Sequence, residues 1–292
     1  MTAPRSSSPS RRDVLAAAAA LVASGALAAT GRALAAPAVD PARLAEAMRV
    51  SEQAHTALME VPGLVMHGAE RIAMLVYPGF TALDLVGPQY FFASLMGAKV
   101  DLVAKTLEPV KTDTGFAVLP TATFADVAPG PTVLFVPGGT QGTIDAMADD
   151  ATVDFLAATA KGAAYVTSVC TGSLLLGMAG LLEGKRATGH WVTRDLLARF
   201  GAIPEDRRVV QDGNIVTGAG VSAGLDFALT LVKTLRGMPY AQALALQAEY
   251  APEPPLPPGT MATTPPAIAE PMRLMFSPLV VKAESLAPAR RG

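Results

Sequence analysis

Cys170 is the only cysteine in the 292-residue chain. It stands in Ala163-Ala164-Tyr165-Val166-Thr167-Ser168-Val169-Cys170-Thr171-Gly172-Ser173-Leu174. A β-prone run breaks at the cysteine and passes straight into a small-residue helix start. Such a corner holds its residue in a strained, exposed pose above the sheet, where α/β enzymes carry nucleophiles. The following helix would offer backbone N–H groups and the positive end of its dipole, which favour thiolate over thiol. A buried cysteine in a core strand gives the same local string.

Other residues extend this chemistry. Asp84 lies in Leu83-Asp84-Leu85-Val86-Gly87-Pro88, just after an apolar strand. It reads as a helix N-cap, or as an acid/base group reaching over the sheet edge with a pKa raised by desolvation. Pro137-Gly138-Gly139-Thr140 ends another strand. Its glycine amides suit a developing negative charge, and a plain tight turn uses the same residues. The Thr171 hydroxyl suits a substrate atom or a helix cap, and its N–H is placed as an oxyanion donor. His190 reads as a pocket residue or a hydrogen-bonded structural one, with Phe80, Tyr90, Thr140 and Trp191 as further pocket-lining candidates.

Composition narrows the classes. One cysteine excludes an internal disulfide, and His55, His67 and His190 form no ligand-spaced pair, which argues against a metal. Residues 1–36 carry Arg5, Arg11, Arg12, Arg32 and Asp13. Their removal takes 23 basic and 25 acidic residues to 19 and 24, a net charge of −5. A mildly acidic chain argues against nucleic acid as the partner. Hydrophobic residues make up 51% of the chain, enough for a substantial core.

The N-terminus supplies an address. Ser10-Arg11-Arg12-Asp13-Val14-Leu15, an alanine-rich run and Ala33-Leu34-Ala35-Ala36 have the plan of a twin-arginine export signal with a small-x-small cleavage site. The expectation is a periplasmic protein with no stable membrane association once the signal is removed. Residues 37–69 read as an extension, helical from Val39 to Met59.

The elements that position the candidates follow from Arg71. Arg71–Tyr77, Lys99–Ala104, Thr132–Val136 and the run into Cys170 read as buried strands. A helix opened by Pro88 and running through Met96, and one over Thr152–Ala160, read between them. Val110–Thr121 reads as a hairpin around Asp113-Thr114-Gly115. Val209–Gln211 and Asn214–Thr217 flank an Asp212-Gly213 turn, and Ser222–Leu235 and Tyr240–Tyr250 read as helices. This alternation over residues 70–251 predicts a mostly parallel α/β sheet, with its site outside the carboxyl ends of the strands. Residues 252–292 are proline-rich and read as an extended surface wrap with at most a short helix near Leu274.

These strings, with Gly184-Lys185-Arg186-Ala187-Thr188-Gly189-His190-Trp191, Gly218-Ala219-Gly220-Val221-Ser222-Ala223-Gly224-Leu225-Asp226 and Gln247-Ala248-Glu249-Tyr250, resemble the ThiJ/PfpI superfamily and, within it, the isonitrile hydratase branch. The resemblance spans about Arg71 to Pro258. It implies a flavodoxin-like three-layer αβα sandwich with a cysteine nucleophile elbow, a homodimer, and no metal or organic cofactor. It implies Cys170 as nucleophile, Asp84 as acid/base group and Thr171 as assistant, acting on a small-molecule isonitrile to give an N-substituted formamide. Gly138, Gly139, Thr140 and His190 would line the substrate and its oxyanion. That chemistry sets a raised-pKa carboxyl beside a lowered-pKa thiolate. Rival expectations are a non-catalytic redox- or stress-sensing protein and a glyoxalase- or deglycase-like enzyme.

Overall fold

The computed structural model describes residues 39–287. The expected export segment lies outside them. α1 (Pro41–Met59) carries no buried residue. Among the described residues no helix is long and apolar enough to cross a membrane.

β1 (Arg71–Leu75) opens the alternating region, and Ile72 to Leu75 are all buried. A continuous apolar run is what a strand covered on both faces requires. α2 (Ala82–Ala93) follows, and it corrects an expectation: the helix starts at Ala82, and Pro88 lies inside it. Proline there withholds an N–H from the helix ladder. The start is supported from outside the helix. Thr81 makes no capping bond, and Asp113 Oδ1 accepts the Ala82 N–H at 3.1 Å in its place.

β2 (Lys99–Ala104) precedes the expected hairpin, formed by β3 (Val110–Lys111) and β4 (Ala117–Val118). β5 (Ala122–Thr123) and the fully buried β6 (Val133–Val136) come next. α3 (Gln141–Met147) and α4 (Asp150–Ala160) lead to β7 (Tyr165–Val169), and α5 (Gly172–Met178) departs from it. An excursion through β8 (Arg186–Ala187), a 3-10 turn (Asp195–Phe200) and β9 (Ile203–Pro204) reaches the hairpin β10 (Val209–Asp212) and β11 (Ile215–Gly218). α6 (Ala223–Arg236) and α7 (Met238–Gln247) complete the region.

The main sheet runs β10-β11-β7-β6-β1-β2-β5. Only β10 is antiparallel to its neighbour. α2, α6 and α7 pack together in one layer, and α3, α4 and α5 in the other. This is the expected flavodoxin-like sandwich. α2 and α6 approach closely through small residues: a carbon placed on Gly224 would sit 3.3 Å from Pro88 Cδ, and one on Gly87 3.2 Å from Leu225 Cδ2. After β1 the chain moves outward to β2 and β5, then returns to β6 on the other side of β1. The crevice at this reversal is where open α/β sheets bind ligands.

The C-terminal tail departs from an extended wrap. It contains α8 (Pro266–Met275) and α9 (Ser277–Leu286), which meet at Phe276. Pro266 and Pro278 sit in first turns, where the missing N–H costs nothing and the fixed φ favours the helix. Leu279 and Ala283 of α9 are buried, and α9 packs on α3 and the 3-10 turn.

Candidate active site

Three adjacent strands deliver the site. β7 ends at Cys170, whose φ of +58° is left-handed, a costly conformation for a residue with a side chain. The turn is held by Cys170 N–H, which donates to Gly218 O at 3.1 Å and Ala219 O at 2.8 Å. β1 leads to Asp84, in the first turn of α2 and fully buried. β6 leads to Gly138 and Gly139.

The glycine turn clamps the other groups. Gly138 N–H donates to Asp84 Oδ2 at 2.9 Å, and Gly139 N–H donates to Thr171 Oγ1 at 2.8 Å. Thr171 Oγ1 donates to Gly139 O at 2.6 Å and lies 2.9 Å from Thr143 Oγ1. Tyr77 extends the network, its hydroxyl donating to Pro137 O at 2.9 Å and lying 3.0 Å from Thr143 Oγ1. The two glycine amides, expected to face substrate, are therefore engaged in positioning the carboxyl and the threonine. Thr171 gives no helix-capping bond. Asp84 is not an N-cap either, because Thr81 holds that place.

Burial sets the protonation states. It raises Asp84 from 3.8 to about 7, with the Asp113 charge adding to it; the Gly138 amide and the Cys170 thiol pull the other way. Burial, and then the Asp84 charge, hold the Cys170 thiol well above its ordinary value, although the Val221 and Thr171 amides donate to the sulfur. The expected lowered thiol pKa is thus corrected: the resting group is a thiol. A seven-residue helix offers a modest dipole, and removal from water outweighs it. Thiol and carboxyl interact, yet Asp84 Oδ1 makes no well-aligned hydrogen bond and is a buried acceptor open to a donor.

The remaining candidates separate. His190 is half-buried, and burial lowers its pKa to about 4, so it is neutral at pH 7. Its ring flanks the loop that holds the sulfur: a carbon placed on Gly220 would lie 3.0 Å from His190 Cδ2. Trp191 adjoins it, ring centroids 5.7 Å apart. Thr140 is exposed and makes no capping bond. Phe80 is fully buried, edge-on to Tyr77. Tyr90 is 40% exposed on α2. A groove of about 690 Å³ opens beyond Tyr77, towards Lys105, Val110 and Phe124, and does not include Asp84, Cys170 or Thr171. Among the described residues no three His, Cys, Asp or Glu side chains gather as a metal site.

Sequence reasoning missed Tyr77, Asp113, Thr143 and Val221. Asp113 carried a signal, since it lies in the predicted hairpin turn. Tyr77 closed the predicted first strand. Val221 acts through its backbone, and no residue type announces that.

Fold and site together define a flavodoxin-like αβα protein with a cysteine at a strand-to-helix elbow and a buried carboxyl beside it. The DJ-1/PfpI family profile matches residues 70–234, and the chain belongs to that family. It is 50% identical over 210 residues to the isonitrile hydratase of Pseudomonas putida, covering 72% of this chain and 91% of the relative. It is 29% identical over 140 residues to protein dj-1beta of Drosophila melanogaster, covering 47% of this chain and 74% of the relative. A crystal structure of a ThiJ/PfpI family protein from Pseudomonas syringae superposes with a TM-score of 0.77 at 47% identity, covering 88% of this chain and 99% of that one. The likeness to that hydratase supports an enzyme activity.

Proposed function

We propose that the protein adds water to an isonitrile to give an N-substituted formamide, with Cys170 as nucleophile and Asp84 as the proton carrier. The observation that carries this reading is the buried pair itself: a thiol beside a carboxyl whose pKa of about 7 lets it take and give a proton near neutrality. The similarity to a hydratase supports the substrate class.

The terminal carbon of an isonitrile accepts a nucleophile and then a proton. Asp84 carboxylate takes the Cys170 proton as the sulfur electron pair forms the S–C bond. The Val221 and Thr171 amides, aimed at the sulfur, stabilise the charge that develops on it. Asp84 then protonates the same carbon, which leaves a thioimidate and a carboxylate. That carboxylate removes a proton from water as the oxygen attacks, and the substrate nitrogen takes up a proton through Asp84. Asp84 takes the remaining hydroxyl proton as the C=O bond forms and the C–S bond breaks, which releases the formamide. The sulfur leaves with its electron pair and recovers its proton from Asp84. Thr171 and the Gly138-Gly139 turn keep the carboxyl in place throughout.

A redox sensor needs an exposed thiolate of low pKa. Cys170 is 4% exposed with its pKa held high, which favours the enzyme reading. The test is turnover of cyclohexyl isocyanide by reduced protein, with formamide detected by mass spectrometry. Product is expected from the native chain and none from Cys170→Ala, while Asp84→Asn should lose about 10²-fold or more. Folded native protein without product, or an active Cys170→Ala, overturns the proposal.

A further inference from the structure

Thr143 sits in the first turn of α3 and is fully buried. Its hydroxyl reaches all three strand ends that deliver the site. It lies 3.0 Å from the Tyr77 hydroxyl after β1 and 2.9 Å from Thr171 Oγ1 at the elbow, and it donates to Gly139 O in the β6 turn at 3.1 Å.

The protons around it are committed. Pro137 O and Gly139 O can only accept. Tyr77 gives its one hydroxyl proton to Pro137 O, and Thr171 gives its own to Gly139 O. Gly139 N–H is spent on Thr171 Oγ1. The Thr143 proton is the one left to tie the end of β1, the β6 turn and the elbow together. Asp84 is held one residue back along the same turn, by Gly138 N–H. A carbon placed on Gly138 would lie 2.7 Å from Thr171 Oγ1 and 2.8 Å from Asp84 Oδ2, so hydroxyl and carboxyl border the same peptide. A shift of Gly139 against Thr171 therefore reaches the Gly138 amide and the carboxyl it holds.

We propose that Thr143 is a positioning residue: by holding Thr171 and the Gly139 peptide together, its hydroxyl keeps the Gly138 N–H aimed at Asp84. The consequence for rate rests on the function proposed above; the placement of the carboxyl does not. The Gly138 amide lowers the Asp84 pKa, so a loosened amide raises it. Cys170 from the elbow and Asp113 from the hairpin also face this carboxyl, as does Tyr77, whose phenol burial keeps neutral.

Thr143→Val keeps the side-chain shape and removes the hydroxyl, while Thr143→Ser keeps the hydroxyl and removes a methyl group. The Asp84 titration is followed by carbon NMR of its carboxyl, the resonance being identified by its loss in Asp84→Asn. Urea melts, and kcat and KM for cyclohexyl isocyanide, are measured beside it. Thr143→Val should move the Asp84 midpoint from about 7 to higher pH, by roughly 0.5 pH unit or more. Its kcat should fall about tenfold, with KM kept within about twofold. Thr143→Ser should bring midpoint and kcat back to near the native values. Tyr77→Phe removes an oxygen that steadies Thr143; it should move the midpoint in the same direction, and it replaces Thr143→Val if that variant does not fold. An unmoved midpoint in the folded variant overturns the assignment. So does a Thr143→Ser as displaced as Thr143→Val, since the residue would then only fill space. A midpoint that moves in a chain giving no formamide even in its native form keeps the positioning role and sinks the hydratase reading.

Discussion

Asp84 and Cys170 form the chemical centre, and their protonation follows from burial more than from sequence neighbours. The rate should therefore depend on an ionised Asp84, with an acid limb in kcat/KM near pH 7. Asp113 contributes a like charge that raises Asp84 further. Its removal should move the limb to lower pH, because the carboxylate then forms more easily. Asp113→Asn tests this cleanly, since asparagine keeps an oxygen for the Ala82 N–H. An acid limb that stays in place would show that Asp113 acts only as a cap. The Asp113-Thr114-Gly115 turn was legible in the sequence; its approach to Asp84 was not, because hairpin and helix meet only in three dimensions.

At the scale of elements, the turn after β6 is the part that cannot change. A side-chain carbon on Gly138 would lie 2.6 Å from Thr171 N, 2.7 Å from Thr171 Oγ1 and 2.8 Å from Asp84 Oδ2. Those are the atoms that hold the acid/base pair to the elbow. Gly138→Ala should cost about 1–3 kcal/mol of stability through overpacking. It should also cut kcat at least tenfold by shifting Asp84, since misplacing a catalytic group by about 1 Å costs on that order or more. Urea melts and steady-state kinetics measured side by side check both. A variant with native kcat would mean that the Gly138 peptide is not what positions the carboxyl. Gly139 is packed as closely, 2.7 Å from Gly79 O by the same measure, so the β6 turn and the β1 loop are fitted to each other.

Across the whole molecule, the end of the sheet away from the site depends on Arg236. It is fully buried at the end of α6 and pairs with both oxygens of Glu70, before β1. It also donates to the carbonyls of Val65, Met66 and Met96 and lies 5.4 Å from the Tyr240 ring centroid. Burial pushes the Glu70 carboxyl up, and the Arg236 bonds and charge bring it below its ordinary value. The pair's contribution is present above the unfolded carboxyl value of 4.5 and fades as pH falls through the lower folded value. Glu70→Gln should destabilise by about 3–5 kcal/mol at pH 7, because it leaves a buried charge uncompensated. The difference from the native chain should shrink as the pH falls below 4.5. A loss under about 1 kcal/mol would mean that the carbonyls alone suffice for Arg236.

The sequence by itself determined the α/β class, the positions of the central strands, the elbow at Cys170 and the glycine turn. These are local facts: a strand buried on both faces must be a continuous apolar run, and a sharp turn must use small residues. The tertiary structure decided the rest. Pro88 read locally as a helix start, and packing against α6 with a cap from Asp113 moved the start to Ala82. The proline-rich tail read as an extended wrap with at most a short helix near Leu274, and there Pro266 and Pro278 sit in the first turns of two helices. The high thiol pKa, the sulfur's bond to the Val221 amide and the arrival of Phe276 beside His190 have no local signal. Each depends on which distant segments exclude water from a group or supply its partner, and only the packed layers settle that.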